Sequence, residues 1–229
     1  MEKMISKLRK SRLLGKIIHT LDYCLQWELK DCESVLDLGC GPSSPLQYCK
    51  NIKYSIGVEA FQPYLEESKR KNIHTEYLKQ RIEEVDFSRD SFDAVIMIEV
   101  LEHLTKETGL EILEKAEKWA KNKIIISTPN GYFPMGAVDS NAFQRHLSGW
   151  NIDALEKLGF KCYGVSGLKS LYLKENIVHS LNNEKDNIFS NIRFRPKKIF
   201  YVINGLLQVF SYYFPKKAFG LFAIKNKNA

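Results

Sequence analysis

The sequence predicts an α/β fold in which helices cover both faces of a parallel sheet. Short apolar runs alternate with amphipathic stretches along the chain, which is the pattern of strand–helix repeats. The run Ala94 to Ile98 is uninterruptedly apolar, as expected of a strand with both faces buried. With 229 residues, 44% of them hydrophobic, the chain is long enough for one domain around a full central sheet.

The elements can be placed in chain order from hydrophobic spacing and turn residues. One or two helices fall within residues 4–29, and further helices are predicted at 44–51, 64–71, 110–120, 152–158 and 199–214. Strands are predicted at 34–38, 54–58, 76–78, 92–98, 123–127, 160–165 and 218–224. We expect residues 1–229 to form a single domain, with N-terminal helices in 1–30 and an insertion at 182–217 that carries the apolar helix.

The segment 131–150 is long for a connection between a strand and a helix. Loops of this length without secondary structure of their own are usually functional or disordered. It contains the apolar residues Tyr132, Phe133, Met135 and Phe143. We therefore expect a lid-like loop that covers an aromatic, lipid or glycan-lipid acceptor.

The chain is basic, with a formal net charge of +7 and a pI near 9.0. This balance suits an anionic partner such as nucleic acid, a membrane surface or a phosphorylated substrate. The lysines and arginines are spread along the chain, so a solvated basic surface is an equally good interpretation, and nucleic acid is the less favoured partner.

The cysteine pattern predicts reduced thiols and a cytoplasmic location. Five cysteines are an odd number, and they show neither CxxC nor finger spacing. They are Cys24, Cys32, Cys40, Cys49 and Cys162. The first sixteen residues are charged throughout, so we expect no signal peptide.

A glycine turn after the first strand predicts a ligand site. Gly39 and Gly41 allow the backbone to approach a ligand closely, at the sheet edge where α/β proteins bind ligands. Glu59, after the second strand, can accept hydrogen bonds from both hydroxyls of a ribose. A nicotinamide dinucleotide fits poorly, because Ser44 replaces the third glycine and Asp37 would repel a pyrophosphate. A ligand with a sulfonium and an ammonium meets no such objection.

Four segments, VLDLGCG, GVEAF, DSFDAVIMIEVLEHL and KIIISTPNG, resemble successive motifs of class I S-adenosylmethionine-dependent methyltransferases over about residues 33–131. The likeness is to the type 11 and ubiquinone-pathway O-methyltransferases. It implies a Rossmann-like, doubly wound, seven-stranded sheet with an antiparallel last strand, and S-adenosylmethionine as cofactor. The cofactor residues that it implies are Asp37, Gly39, Cys40, Gly41, Glu59, Ala60, Phe61, Arg81, Ile82, Glu99 and Val100.

One position departs from that family. Many relatives carry an aspartate after the third strand, where it contacts the adenine amino group, and this chain has Arg81 there. A guanidinium cannot accept that hydrogen bond. Either a backbone carbonyl replaces it or adenine binds more weakly.

The segment after the fourth strand contains the candidate catalytic residues. Glu99, Glu102 and His103 would share a face if a helix began at Glu99. The pattern Glu-x-x-Glu-His with a later histidine, here His146, is similar to the Mg²⁺ site of small-RNA 3′-terminal 2′-O-methyltransferases. The first part of the pattern is also similar to the segment with which ubiquinone-pathway O-methyltransferases bind a divalent ion. These four residues therefore form a candidate Mg²⁺ or Mn²⁺ site.

Three residues are also candidate acid–base groups, namely His103, His146 and Glu99. The alternative is structural, because Glu102 and His103 can simply cap or brace a helix.

Three functions follow from these observations. The leading hypothesis is O-methylation of a small-molecule, lipid-linked or glycan acceptor. The alternatives are an RNA 2′-O-methyltransferase with a divalent metal and a non-catalytic cofactor-binding scaffold. The helix at 199–214 either packs on the sheet, contacts a membrane peripherally or forms a homodimer, with a monomer expected otherwise.

Overall fold

The computed structural model describes residues 12–172 and 197–227, and these ranges contain one seven-stranded sheet. The strands are β1 Ser34–Leu38, β2 Tyr54–Val58, β3 Glu76–Leu78, β4 Phe92–Ile98, β5 Ala120–Pro129, β6 Lys161–Leu168 and β7 Ala218–Asn226. The helices are α1 Arg12–Ile18, α2 Leu21–Glu28, α3 Gln62–Arg70, α4 Lys106–Trp119, α5 Ile152–Lys157 and α6 Lys197–Tyr213. Short 3₁₀ helices include Pro45–Tyr48, Leu101–His103, Ala142–Gln144 and Pro215–Lys217.

The strand order is β3-β2-β1-β4-β5-β7-β6. Strands β1 to β5 run parallel, and β7 pairs antiparallel with both β5 and β6. The predicted mostly parallel sheet with an antiparallel last strand is therefore confirmed. The order reverses between β1 and β4, and ligands bind at the carboxyl ends of the strands beside such a switch point.

The predicted strand bounds hold for β1 to β4, whereas β5 and α4 are longer than predicted. Helix α4 begins at Lys106 because the Thr105 hydroxyl accepts the Thr108 N–H at 3.2 Å and caps the helix. Strand β5 continues to Pro129 because β7 pairs along its whole second half. The N-terminal region forms two helices from residue 12, while residues 1–11 and the predicted polar segment 182–195 lie outside the described residues.

The core is divided by the sheet, as alternate β4 side chains show. Val95 and Met97 belong to the cluster that includes buried residues of α4 and α5. Ala94 and Ile96 belong to the cluster that includes α2. Because both faces of β4 are buried, the strand has to be apolar at consecutive positions, and this produced the sequence signal.

Helix α6 packs on β6, one of the three arrangements expected for it, but it does so through polar side chains. Asn204 and Gln208 are each 6% exposed and Ser211 is fully buried, whereas Leu206 is 72% exposed. The expectation that this helix buries its apolar side chains is therefore only partly met, since Ile203 and Leu207 pack inward and others do not. Within residues 12–172 and 197–227, no helix combines the length and apolar character that crossing a membrane requires.

Candidate active site

A pocket of about 200 Å³ opens at the carboxyl edge of the sheet, beside the β1/β4 switch point. Predicted site residues from four loops meet there. Those that line it are Gly39, Glu59, Ala60, Arg81, Ile82, Glu99, Val100 and His103. The other lining residues are Glu83, Leu104, Thr105, Thr108, Phe143, Gln144 and Leu147. Most of this second group had no sequence signal, because each is an ordinary loop or helix residue until the fold brings it to the pocket.

The glycine turn forms one wall of the pocket. Gly39 has φ +67°, and a Cβ at this position would lie 2.7 Å from Cγ2 of Val100. Only glycine allows both that conformation and the close approach of the β1 turn to the end of β4. Gly41 has φ +56°, and a Cβ there would meet nothing within 4 Å.

Glu59 is fixed against this turn. Its carboxylate accepts the Gly41 N–H at 3.0 Å and the Phe61 N–H at 2.8 Å. Burial raises the pKa of Glu59, while the backbone N–H donors oppose that shift. A carboxylate offers about four lone-pair sites, so two remain for a ligand in the pocket.

Asp37 supports the turn from below rather than lining the pocket. Its carboxylate is 1% exposed, accepts the Ser44 hydroxyl at 2.5 Å and lies 2.9 Å from Nε2 of His74. A Cβ at Gly57 would come within 2.8 Å of Nδ1 of His74, so this glycine makes room for the ring. The predicted residues Cys40, Gly41 and Phe61 are also absent from the pocket lining.

Arg81 lies at the pocket mouth with an ion-pair partner of its own. Its guanidinium is 2.8 Å from the carboxylate of Glu83 and 5.8 Å from the centre of the Phe143 ring. Glu83 also lines the pocket. The acidic group that the sequence lacks at position 81 is therefore present two residues later.

The backbone after β4 differs from the predicted helix. Glu99 has φ +56°, and the chain then forms the 3₁₀ helix Leu101–His103. The expectation that Glu99, Glu102 and His103 share a face of one helix is wrong, because a left-handed residue cannot begin an α-helix. Glu99 is instead held by the Ser127 hydroxyl of β5, which donates to its carboxylate.

Three of the four candidate residues nevertheless converge. One ligand atom from each of Glu102, His103 and His146 lies within 4.8 Å of the others. Glu99 lies close enough for its charge to raise the pKa of Glu102. We call Glu99, Glu102, His103 and His146 the carboxylate–histidine cluster.

Backbone contacts bring His146 to this position. The carbonyl oxygen of Glu102 accepts the N–H groups of Leu147 at 2.7 Å and Ser148 at 3.1 Å. These bonds fix the end of the 131–150 segment against the turn after β4. Because Phe143 and Leu147 of the same segment line the pocket, its placement is compatible with the predicted lid.

Hydrogen bonds orient both imidazoles. Nδ1 of His146 lies 2.5 Å from the carbonyl oxygen of Phe133, and Nδ1 of His103 lies 3.4 Å from that of Arg145. Since a carbonyl only accepts, Nδ1 of each ring carries the proton. Nε2 of each ring is then the nitrogen with an available lone pair, the arrangement common in metal-binding histidines.

Burial controls the charges of the cluster. It lowers the pKa of His103, and burial together with the neighbouring His103 lowers the pKa of His146 to about 4. Desolvation by the surrounding protein raises the pKa of Glu99, although this residue is exposed where it lines the pocket. Burial plus the charge of Glu99 raises the pKa of Glu102 well above its usual range. These shifts favour neutral imidazoles, and they make a proton on Glu102 easier to retain than a proton on an exposed glutamate.

Residues 36–125 match the family described as a methyltransferase domain. A SAM dependent methyltransferase from Archaeoglobus fulgidus has 20% identity and a TM-score of 0.52, covering 94% of this chain and 98% of that one. The plantazolicin methyltransferase BpumL in complex with SAH has 17% identity and a TM-score of 0.52, covering 99% and 90%. The methyltransferase domain of bacterial CtHen1-CN has 15% identity and a TM-score of 0.52, covering 92% and 99%. No curated protein sequence matches the chain.

At these identities the solved structures establish the fold, and the family match establishes the domain. Together they indicate an α/β methyltransferase with a pocket beside the β1/β4 switch point. Residues 36–125 thus carry a methyltransferase domain, and the chain has the fold of the class I S-adenosylmethionine-dependent methyltransferases. This assignment favours catalysis over the non-catalytic scaffold.

Proposed function

We propose that this methyltransferase transfers its methyl group to a hydroxyl oxygen that is activated at the carboxylate–histidine cluster. The observation that carries the proposal is the convergence of Glu102, His103 and His146, with Glu99 beside them. Glu99 and His103 line the cofactor pocket, whereas Glu102 and His146 are buried next to them. An oxygen nucleophile needs a group that takes its proton or lowers its pKa, whereas positioning can supply much of the remaining rate enhancement.

The residues around the glycine turn fit S-adenosylmethionine. Glu59 retains lone pairs for the ribose hydroxyls, and Ile82 and Ala60 supply apolar wall for the adenine. The close packing of Gly39 on Val100 leaves the pocket side of the turn open. When bound there, the cofactor supplies an electrophilic methyl group.

The cluster fits a divalent ion equally well. Nε2 of His103 and Nε2 of His146 are the available nitrogens, and Oε2 of Glu102 is buried without a hydrogen-bond partner. An unpaired buried carboxylate oxygen is costly, and a cation would remove that cost. Mg²⁺ or Mn²⁺ held by these residues would lower the pKa of a coordinated hydroxyl group.

Without a metal, the same residues can act as bases. The pKa of His146, lowered to about 4, keeps its ring neutral near pH 7, so that Nε2 can accept a hydrogen bond, but it also makes this nitrogen a weak base. The pKa of Glu102 is raised well above its usual range, so its carboxyl group holds a proton more readily than an exposed glutamate does. Either version requires an acceptor hydroxyl close to His103, which lines the pocket.

The acceptor that we favour is a small-molecule, lipid-linked or glycan hydroxyl, because Phe143, Leu104 and Leu147 give this end of the pocket an apolar wall. An RNA 2′-hydroxyl is the second candidate. It is favoured by the convergence of Glu-x-x-Glu-His with His146 and by the net charge of +7.

The test is transfer of labelled methyl from S-adenosylmethionine to lipid, glycan and RNA fractions, followed by identification of the methylated atom. We expect an O-methyl product whose formation is lost in His146→Asn and reduced by chelator. The matched control is His19→Asn, a histidine outside the cluster that stacks on Tyr212. Methylation of nitrogen, sulfur or carbon, or full activity of His146→Asn, contradicts the proposal.

A further inference from the structure

The outward face of α6 is unusually apolar for a protein surface. Leu206, Phe210, Tyr213 and Phe214 are 72%, 41%, 63% and 54% exposed. Their i, i+4, i+7, i+8 spacing places them on one side of the helix and its C-terminal end. We call these four residues the α6 face. Contiguous exposed apolar surface of this kind marks an interaction site.

Polar anchoring on the opposite side fixes this orientation. Gln208 donates to the carbonyl of Gly164 at 3.1 Å and accepts the N–H of Gly167 at 2.7 Å. Asn204 donates to the carbonyl of Ser166 at 2.9 Å. The helix cannot roll to bury the α6 face without breaking these buried hydrogen bonds. The face therefore remains available to a partner.

The surroundings of the face are basic. Residues 197–217 contain four lysines and no aspartate or glutamate. Lys216 and Lys217 are exposed in the 3₁₀ helix that directly follows the face. Helix α1 lies beside α6 and adds the exposed Ile17, which is 58% exposed. Aromatic and aliphatic side chains bordered by lysines are typical of helices that lie in an anionic membrane interface.

The face also adjoins the edge of the sheet that holds the pocket. Asn130, directly after β5, donates to the carbonyls of Pro215 and Ala218, each at 3.1 Å. Three residues earlier, Ser127 donates to the carboxylate of Glu99 in the carboxylate–histidine cluster. A surface bound through the α6 face would therefore lie at the carboxyl edge of the sheet.

We propose that the α6 face is a docking surface for an anionic lipid membrane. A two-fold dimer through the same patch would set Lys216 and Lys217 near their own copies, because such an interface pairs one patch with itself. Like charges brought together in this way disfavour association. Anionic headgroups, in contrast, complement the lysines while the aromatic side chains enter the apolar layer.

Co-sedimentation of the full chain with vesicles tests the proposal. The vesicles contain phosphatidylcholine alone or mixed with phosphatidylglycerol, at low and high salt. We expect binding only to the mixed vesicles, weakened by salt. Lys216→Glu/Lys217→Glu should lower the affinity about tenfold or more, since each basic residue near an anionic surface contributes about 1 kcal/mol. Phe210→Ser/Phe214→Ser should lower it about tenfold as well.

Matched controls lie on the opposite side of the molecule. Leu110→Ser changes a residue of α4 that is 42% exposed, and Lys118→Glu/Lys121→Glu makes the same charge change in two surface ion pairs. Both should leave vesicle binding unchanged, and calorimetric binding of S-adenosylhomocysteine confirms that every variant is folded. The proposal is overturned if the folded wild-type protein does not co-sediment with anionic vesicles. It is equally overturned if sedimentation shows a dimer that Phe210→Ser/Phe214→Ser dissolves.

Discussion

The imidazole rings of His103 and His146 lie edge to face, with their centroids 4.9 Å apart. The first ring follows β4, and the second belongs to the segment between β5 and α5. Their neighbour Glu102 is 2% exposed, so the pair meets a buried carboxyl group rather than solvent. Because the cluster is assembled from separate segments of the chain, its geometry depends on the tertiary fold.

Replacement of one ring should therefore remove most of the metal affinity. We expect His146→Asn to weaken Mn²⁺ binding by about tenfold to a hundredfold, the range seen when a metal site loses a supporting group. Electron paramagnetic resonance of free Mn²⁺ measures this directly, with His19→Asn as the control. Equal Mn²⁺ affinity in wild type and His146→Asn means that the cluster does not hold the ion.

The raised pKa of Glu59 leads us to expect opposite pH trends for cofactor affinity and for the free energy of unfolding. Its pKa is raised by burial, so above pH 4.5 the folded protein keeps a proton that the unfolded chain has lost. The free energy of unfolding should therefore fall as pH rises through this window. Affinity for S-adenosylhomocysteine should rise over the same window, because only the carboxylate accepts both ribose hydroxyls.

Calorimetry and denaturant titration of wild type and Glu59→Gln between pH 4.5 and neutrality check these trends. Glu59→Gln should bind S-adenosylhomocysteine more weakly by about 1–3 kcal/mol at neutral pH, through lost charge-assisted hydrogen bonds. Its affinity should also be nearly independent of pH. A wild-type affinity that does not change with pH would sink the proposed ribose contact.

Local sequence signals were enough for most of the sheet because β1, β2 and β4 are short runs rich in apolar residues, each followed by a turn. They also identified the carboxylate–histidine cluster, although by the wrong local geometry. The φ of +56° at Glu99 depends on the bond from Ser127, a residue of another strand. A contact of this kind has no signature in the spacing of residues along the chain.

The orientation of α6 could not be predicted for a similar reason. Strand β6 shifts register between Val165 and Leu168, where Ser166 and Gly167 have φ values of +62° and +76°. At this irregularity the Gly167 N–H and the Ser166 carbonyl bond to α6 instead of to β7: Gln208 accepts the N–H, and Asn204 donates to the carbonyl. Helix hydropathy alone predicts that the apolar side of α6 faces inward. The polar side faces inward instead, because its side chains form hydrogen bonds with the backbone of β6.

The next prediction concerns Arg81 and the part of the cofactor pocket that we expect to bind adenine. The ion pair with Glu83 is exposed, so loss of the guanidinium should cost little stability. We expect Arg81→Asp to restore the hydrogen-bond acceptor of the family pattern and tighten S-adenosylhomocysteine binding by up to about tenfold, the value of one net hydrogen bond. Calorimetry against Arg70→Asp, an exposed position on α3 with the same charge change, provides the control. If both variants behave alike, position 81 does not contact the adenine.

Because α6 packs through its polar side, we expect a polar-to-apolar substitution at a buried position of this helix to destabilise the protein. Gln208→Leu places an apolar residue in a buried position, yet it removes the partners of the Gly167 N–H and of the carbonyls of Gly164 and His19. A buried polar group without a partner costs about 1–3 kcal/mol. Since the side chain of Gln208 satisfies three such groups, we expect a loss of about 2–4 kcal/mol in the free energy of unfolding, measured by urea titration. Leu206→Gln, at a position that is 72% exposed, should stay within about 0.5 kcal/mol of wild type, as surface substitutions usually do. If Gln208→Leu proves as stable as wild type, α6 does not pack on β6 through its polar side.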